Sequence, residues 1–456
     1  MRDRHGKGVT SLAQRARHAR ERAAAPPHAV AHHRRGITAN FARFRAAGLG
    51  AFVAFMAVLG PGLLAGLSDD DPAGITTYSV LGADHGYRLL WIIPASTILL
   101  VQFHLMAVRI GAASGKGFVG VIRERWGHRW GYFAVAGLLF ANFGTICAEY
   151  AGISAAGSLV GVPSWLSAPI AAVLISLVVV FGSFHRVERV LLFISATLAL
   201  YIVDGILAKP DWAQVWHNSI VPHMPTSPLG WIAIAAALGT TLAPWGLAFI
   251  QSYAVDKKIT VANLSWERVD VIIGSLLTGI IGMAIAVACA ATLNRAGVHI
   301  EDAADVAAAL KPLAGSFATV LFGIGLLGAS LLAAAIVPLA TAYSIAEGIG
   351  SPASLDLDSS HFQYFYAAFV GLTVAAASVV SLPGTPLIPL IYSSQVVNAV
   401  MLPLHVIALQ LLSRDPAIMG EARSSKLSQG AGWVSIALIV ACVGALAWSW
   451  IGSLAK

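Results

Sequence analysis

The sequence predicts an all-α polytopic membrane protein of about eleven spanning helices, and three observations carry that reading. Apolar residues make up 57% of the 456 and charged residues only 11%, with a mean hydropathy of +0.76, which leaves too little polar surface to enclose a water-soluble core. Windows of about 20 apolar residues, long enough to cross a bilayer as a helix, recur along the chain. Two of these windows are broken in the middle, and the first break holds three consecutive aspartates, Asp69, Asp70 and Asp71.

In order, the spans cover roughly 46–82 (interrupted), 88–110, 131–156, 165–183, 189–208, 229–255 (interrupted), 269–293, 314–347, 362–381, 386–412 and 432–454. Lys and Arg resist translocation, so their placement gives the orientation. The segment 1–45 holds eleven of them against Asp3 and Glu21; Arg109, Lys116, Arg123, Arg125 and Arg129 follow the second span, and Lys257, Lys258 and Arg268 follow the sixth. Arg186 and Arg189 stand before the fifth, while the alternate loops 157–164 and 382–385 carry almost no charge. The N-terminus is therefore expected in the cytoplasm and, with eleven spans, the C-terminus outside. The acidic loop around Glu347, Asp356 and Asp358 is an exception. Most of the net charge of +7 lies in the tail, which reads as a disordered basic segment attracted to anionic lipid, not as a nucleic-acid-binding surface. The domains expected are this tail, 1–45, a core over 46–412 and an added span over 432–454.

The first span is apolar through Gly60-Pro61-Gly62 and Leu67, meets the aspartates, and resumes after Pro72-Ala73-Gly74 with Ile75, Tyr78, Val80 and Leu81. Pro72 removes a backbone donor and Gly74 lowers the cost of unwinding, so the helix should break near 69–74. In the sixth span Gly239-Thr240-Thr241-Leu242-Ala243-Pro244-Trp245-Gly246 interrupts two apolar halves. A proline kink would account for either break alone. Two breaks five spans apart, with acids at one of them, fit a LeuT-like 5+5 inverted repeat, 46–208 related to 229–412, with the site between the breaks. Unwound backbone at membrane depth is tolerated where it lines a cavity, and an intramembrane acid marks a substrate or ion path. Asp71 is the first candidate ligand.

Cys147, Cys289 and Cys442 stand singly in spans without metal spacing. No HExxH, GxSxG, P-loop or dinucleotide fingerprint is present, so an ATP-driven or hydrolytic enzyme is disfavoured. His104 and His405 read as packing residues held by hydrogen bonds, and Tyr78, Asn142 and Asn398 as interhelical hydrogen-bonding groups, with Asn398 nearest an aqueous path.

From Gly60-Pro61-Gly62 through Asp71-Pro72 to Gly86-Tyr87-Arg88-Leu89-Leu90-Trp91, the chain resembles the NRAMP superfamily of divalent-metal transporters. Arg109-Ile110-Gly111, Gly115-Lys116, Ala148-Glu149-Tyr150, the Pro244 region, Ser394-Gln395-Val396-Val397 and Leu402-Pro403 follow in the family's order. The departures matter. The family's Asp-Pro-Gly-Asn motif becomes Asp71-Pro72-Ala73-Gly74, and its Met-Pro-His becomes Ala243-Pro244-Trp245, with Thr240 where the family has alanine. This pattern is similar to the NRAMP-related magnesium transporter branch. The resemblance implies a site of Asp71, carbonyls near Gly74 and Thr240, the space vacated at Ala243, Gln395, and retained waters. Asp69 and Asp70 would form an electronegative vestibule, with Glu149, Trp245 and Asn398 along the path.

The chemistry agrees with that branch. Thioether sulfur favours transition metals, and Ala243 has none. Magnesium prefers oxygen ligands and keeps its waters. The histidines that would carry protons are replaced by Trp245 and Ile250, and the acid one turn before Glu149 by Ile146, so uncoupled uptake of Mg²⁺, and of Mn²⁺, is expected. Glu149 is the argument for the opposite, since a buried carboxyl can carry protons unaided. Competing readings are a proton-coupled Mn²⁺/Fe²⁺ importer, a sodium-coupled amino-acid symporter, a membrane enzyme using Asp71 and Glu149, and a non-transporting metal sensor. The expected partners are divalent cations as cargo and the lipid bilayer, in a bacterial plasma membrane, with no cofactor and no nucleic acid. A monomer is compatible with the sequence.

Overall fold

A computed structural model describes residues 71–181, 200–309, 315, 318–351 and 363–454. These belong to a unit over Gly60–Lys456; the other unit, Met1–Leu59, lies outside the described residues, as do Asp69 and Asp70. Every described regular element is helical.

The first described helix, α1 (Pro72–His85), starts where the sequence places its break: Asp71 is the N-cap in extended conformation and Pro72 occupies the first turn, where its missing N–H costs nothing. α2 (Ile92–Ser114) ends at Gly115 in the left-handed region, φ 65°. A short helix, α3 (Phe118–Trp126), buries Phe118, Val119, Val121 and Ile122 and turns the chain into α4 (His128–Ser158). α5 (Ser164–Val180) and α6 (Leu200–Leu207) follow, then α7 (Trp212–Ile220) outside the apolar runs. α8 (Pro228–Thr241) and α9 (Pro244–Asp256) are the halves of the interrupted sixth span, each begun by a proline. α10 (Leu264–Cys289) continues as a π-helical turn through Asn294, and α11 (Ala303–Ala308) is short. α12 (Ala318–Ile349), α13 (Gln363–Val380), α14 (Leu387–Ser413), α15 (Pro416–Met419) and α16 (Lys426–Leu454) complete the chain.

Among the described residues seven helical segments are long and apolar enough to cross a membrane, with α8 and α9 counted together, and two shorter apolar helices accompany them. α1 and α6 supply the remaining two of the eleven expected spans; the rest of those two spans, 46–70 and 189–199, lies outside the described residues. The fold is the LeuT-like arrangement, and the protein is an integral membrane protein.

The second break is narrower than the sequence suggests. Gly239, Thr240 and Thr241 are helical, and so are Trp245 and Gly246; only Leu242 and Ala243 leave the helix. Gly239 is there for packing. A Cβ at that position would lie 1.8 Å from the Gln395 carbonyl oxygen on α14, so α8 and α14 meet backbone to backbone, as small residues allow in membranes. Gly74 likewise lies inside the first turn of α1, and the unwound backbone expected there ends at Asp71.

α4 is the hub of the bundle, packing on α1, α3, α5, α12, α13 and α14, while α1 also contacts α8, α10 and α14. α1 is therefore packed among α4, α8, α10 and α14. α16 lies outside this ring. Only 17% of its apolar window is buried, and it rests on α8 and α14, as an addition to the ten-span core should.

Candidate metal site

Asp71 sits at the start of α1, 4% exposed. Its Oδ1 accepts the Gly74 N–H at 2.6 Å, and its carbonyl accepts the first helical bond from Ile75 at 2.9 Å. The cap fixes the side chain, and the oxygen left over projects from a helix end. Gly152 on α4 approaches Pro72 so closely that a Cβ there would lie 2.4 Å from the proline ring. One turn before Gly152 stands Glu149, fully buried, with its carboxyl facing that of Asp71. The two negative charges repel each other. With both ionised each only accepts, and among the described residues neither Glu149 oxygen has a hydrogen-bond donor.

α8 ends beside α1, where Thr241 meets Tyr78. Among the described residues the carbonyls of Gly239, Thr240 and Thr241 receive no backbone N–H, as the last turn of a helix dictates. The Ala243 carbonyl is taken by the Gly246 and Leu247 N–H groups at 3.0 and 3.3 Å, so Ala243 offers only the space around its methyl. Trp245, 1% exposed, opens an aromatic ladder along α9, 6.4 Å from Phe249 between ring centroids. Phe249 in turn stacks on Tyr253 at 5.0 Å.

Gln395 on α14 is buried, and its side chain is engaged. Its Nε2 donates to Ser394 Oγ at 2.7 Å and its Oε1 accepts from Asn398 Nδ2 at 3.0 Å. Asn398 Nδ2 also donates to Thr145 Oγ1 on α4, at 3.0 Å. Gln395 Oε1 accepts the one Asn398 bond and keeps a second lone pair. Asn398 is fully buried and serves as a bridge between helices.

The structure thus brings Asp71, Glu149, the end of α8, Ala243, Trp245 and the Gln395–Asn398 pair onto helices that share one contact region, with Gly74 present only through its N–H. Several residues were missed from sequence. Thr145, one turn before Glu149, is indistinguishable from a neutral filler in an apolar run. Thr241 is the node of a second network, with Tyr78 Oη at 2.8 Å and Ser96 Oγ donating at 3.1 Å. Asp204, fully buried in α6, is an intramembrane acid to which the rule applied to Asp71 should have been extended.

Of the packing histidines, His405 bonds the Met401 carbonyl at 3.0 Å as expected. His104 differs: its Nδ1 has no partner among the described residues. Asn142 donates to Thr341 at 2.9 Å, the interhelical role expected of it. Among the described residues no cluster of three or more His, Cys, Asp or Glu side chains could hold a metal, so an ion here would rest on one or two carboxylates and neutral oxygens.

Fold and site together define a class: a helical membrane protein of the LeuT-like type, with a buried carboxylate at a helix N-terminus. The family model described as Nramp, natural resistance-associated macrophage protein-like, matches residues 62–449, and the chain belongs to that family. It is 28% identical over 416 residues to the divalent metal cation transporter MntH of Deinococcus radiodurans, spanning 86% of this chain and 90% of that one. Its fold is similar to that of the Eremococcus coleocola manganese transporter. A histidine-to-alanine mutant of that protein superposes with a TM-score of 0.66 at 20% identity over 87% of each chain. A complex of it with an aromatic bis-isothiourea compound gives 0.64 at 20% identity, over 89% of this chain and 90% of that one.

Proposed function

We propose that this protein carries Mg²⁺, and also Mn²⁺, into the cell as a partly hydrated ion by alternating access, without moving protons. Family membership and the relative named as a divalent metal cation transporter support transport of a divalent cation. The preference for a hard ion rests on one observation: the two positions where the family pattern places sulfur and imidazole are the methyl of Ala243 and the indole of Trp245. Asp71 supplies the charge, the free carbonyls at the end of α8 around Thr240 supply neutral oxygens, and Gln395 joins them through the second lone pair of Oε1. Water completes the octahedron that Mg²⁺ demands. Asp69 and Asp70, next in sequence to Asp71, would concentrate cations at the entrance.

A second reading is favoured by Glu149. A carboxyl abutting Asp71 in a dry site can take and release a proton each cycle, which would make the protein a proton-coupled Mn²⁺/Fe²⁺ importer. Proteoliposomes loaded with a magnesium-sensitive dye, and in parallel with a pH dye, separate the two. Magnesium entry without lumenal acidification is expected; acidification in step with metal entry would establish the second reading, and absence of any metal flux would reduce the protein to a sensor.

A further inference from the structure

α3, the first two turns of α4 and the C-terminal half of α14 enclose an apolar cavity of 510 Å³ remote from the Asp71 site, walled by Trp126, Trp130, Phe133, Gly137, Leu404 and Leu411. Trp130 is 56% and Phe133 54% exposed, so the cavity opens sideways from the bundle. Its depth follows from the helices. α4 begins at His128 and α14 ends at Ser413, so both reach the same edge of the membrane at the α3 connection. From Trp130 to Gly137, and from Leu404 to Leu411, each wall runs about 10 Å inward at ~1.5 Å per residue. Against a hydrocarbon core of about 30 Å, that is most of one leaflet.

The mouth is aromatic and cationic. Trp126 and Trp130 meet edge to face with ring centroids 6.4 Å apart, the placement of tryptophans at headgroup level. Arg125 is committed to Asp415 and Lys116 to Glu124. Arg129, beside Trp130, and Arg414, one turn past Leu411, are exposed, and among the described residues no ion pair is recorded for either.

We propose that this groove is a binding site for an anionic phospholipid, one acyl chain lying along the cavity wall and the phosphate held between Arg129 and Arg414. The apolar wall takes a chain of any lipid; the two arginines select the head group. Each basic residue adds attraction to an anionic headgroup, and two together amount to a preference of about thirtyfold over a zwitterionic lipid.

The experiment is native mass spectrometry of the purified full chain, given equal amounts of phosphatidylglycerol and phosphatidylcholine. Retained phosphatidylglycerol is expected to exceed phosphatidylcholine by about thirtyfold. A Cβ on Gly137 meets nothing within 4 Å, so Gly137→Trp fills the cavity without a backbone clash and should abolish retention of both lipids. Arg129→Ala/Arg414→Ala, exposed and harmless to folding, should bring the two lipids to equal retention. Equal retention by the wild type, or a phosphatidylglycerol preference that survives either variant, overturns the proposal.

Discussion

Asp71 has two tasks on one carboxylate. One oxygen caps α1 through the Gly74 N–H, and the other must attract a cation to a helix N-terminus, whose own dipole repels it. The two tasks separate by substitution. Asp71→Asn retains a capping oxygen and loses the charge, whereas Asp71→Ala loses both. Magnesium flux into dye-loaded liposomes is expected to fall by at least about 100-fold in each, because one full charge at a dry site is worth several kcal/mol. Only the alanine variant should also melt lower, by the ~1 kcal/mol of a lost cap; an asparagine variant that still transports would remove Asp71 from the site. Ala243 poses the complementary question. Its methyl leaves room for water, and Ala243→Met would bring a soft sulfur into that room, so cadmium and manganese flux should rise relative to magnesium. An unchanged ratio would count against the account of selectivity. For Glu149 the uncoupled reading expects Glu149→Gln, nearly isosteric, to keep magnesium flux within about threefold; a collapse of flux together with loss of lumenal acidification would favour proton coupling instead.

At the level of elements, the ends of the helices are tied as firmly as the site, and by a residue that looked like a mere charge exception in the sequence. Glu347, in the last turn of α12, accepts the Gly120 N–H of α3 at 3.1 Å through Oε2 and the Ser252 hydroxyl of α9 at 2.8 Å through Oε1. Its carbonyl also accepts from Arg123 Nη1 at 3.3 Å. One side chain thus joins the α3 connection, the second half of the broken sixth span and α12. Each such hydrogen bond contributes about 0.5–1.5 kcal/mol. Glu347→Ala should therefore lower the melting temperature of the detergent-purified protein by several degrees, and Glu347→Gln, which keeps an acceptor, by less. A wild-type melting curve for the alanine variant would show that the tie carries no weight. The break in the sixth span teaches the opposite lesson about reading elements. Gly239 and Thr240 look like helix breakers by propensity, yet both are helical, because the glycine is spent on close approach to Gln395 and a buried helix outweighs a weak local preference. Pro244, which starts α9, was read correctly, since a proline's missing N–H acts whatever surrounds it.

For the whole molecule, hydropathy alone made the eleven spans legible, because a bilayer demands about 20 apolar residues per crossing and forbids unpaired backbone. The Asp71 end of the first break was legible for the same reason. What was not legible depends on which helix faces which: the Asn398–Thr145 bridge joins residues 253 apart, and Tyr78 meets Thr241 across 163. Neither pairing leaves a local pattern in the chain. Asp204 was legible in principle and was passed over because it stands alone in its span. An uncoupled carrier has only the ion gradient and the membrane potential to draw on. A dication gains about 4.6 kcal/mol per 100 mV, twice the value for one charge. With the potential clamped at about −60 mV by a potassium gradient and valinomycin, magnesium should accumulate to a limit of roughly 100-fold, since about 2.7 kcal/mol is two decades in concentration. That limit should not move when a pH gradient is imposed across the same liposomes. A proton-coupled carrier would exceed it whenever the outside is made acidic, because each co-transported proton adds its own gradient to the driving force. A plateau that tracks the pH difference at constant potential would therefore end the uncoupled reading, whatever the individual residues do.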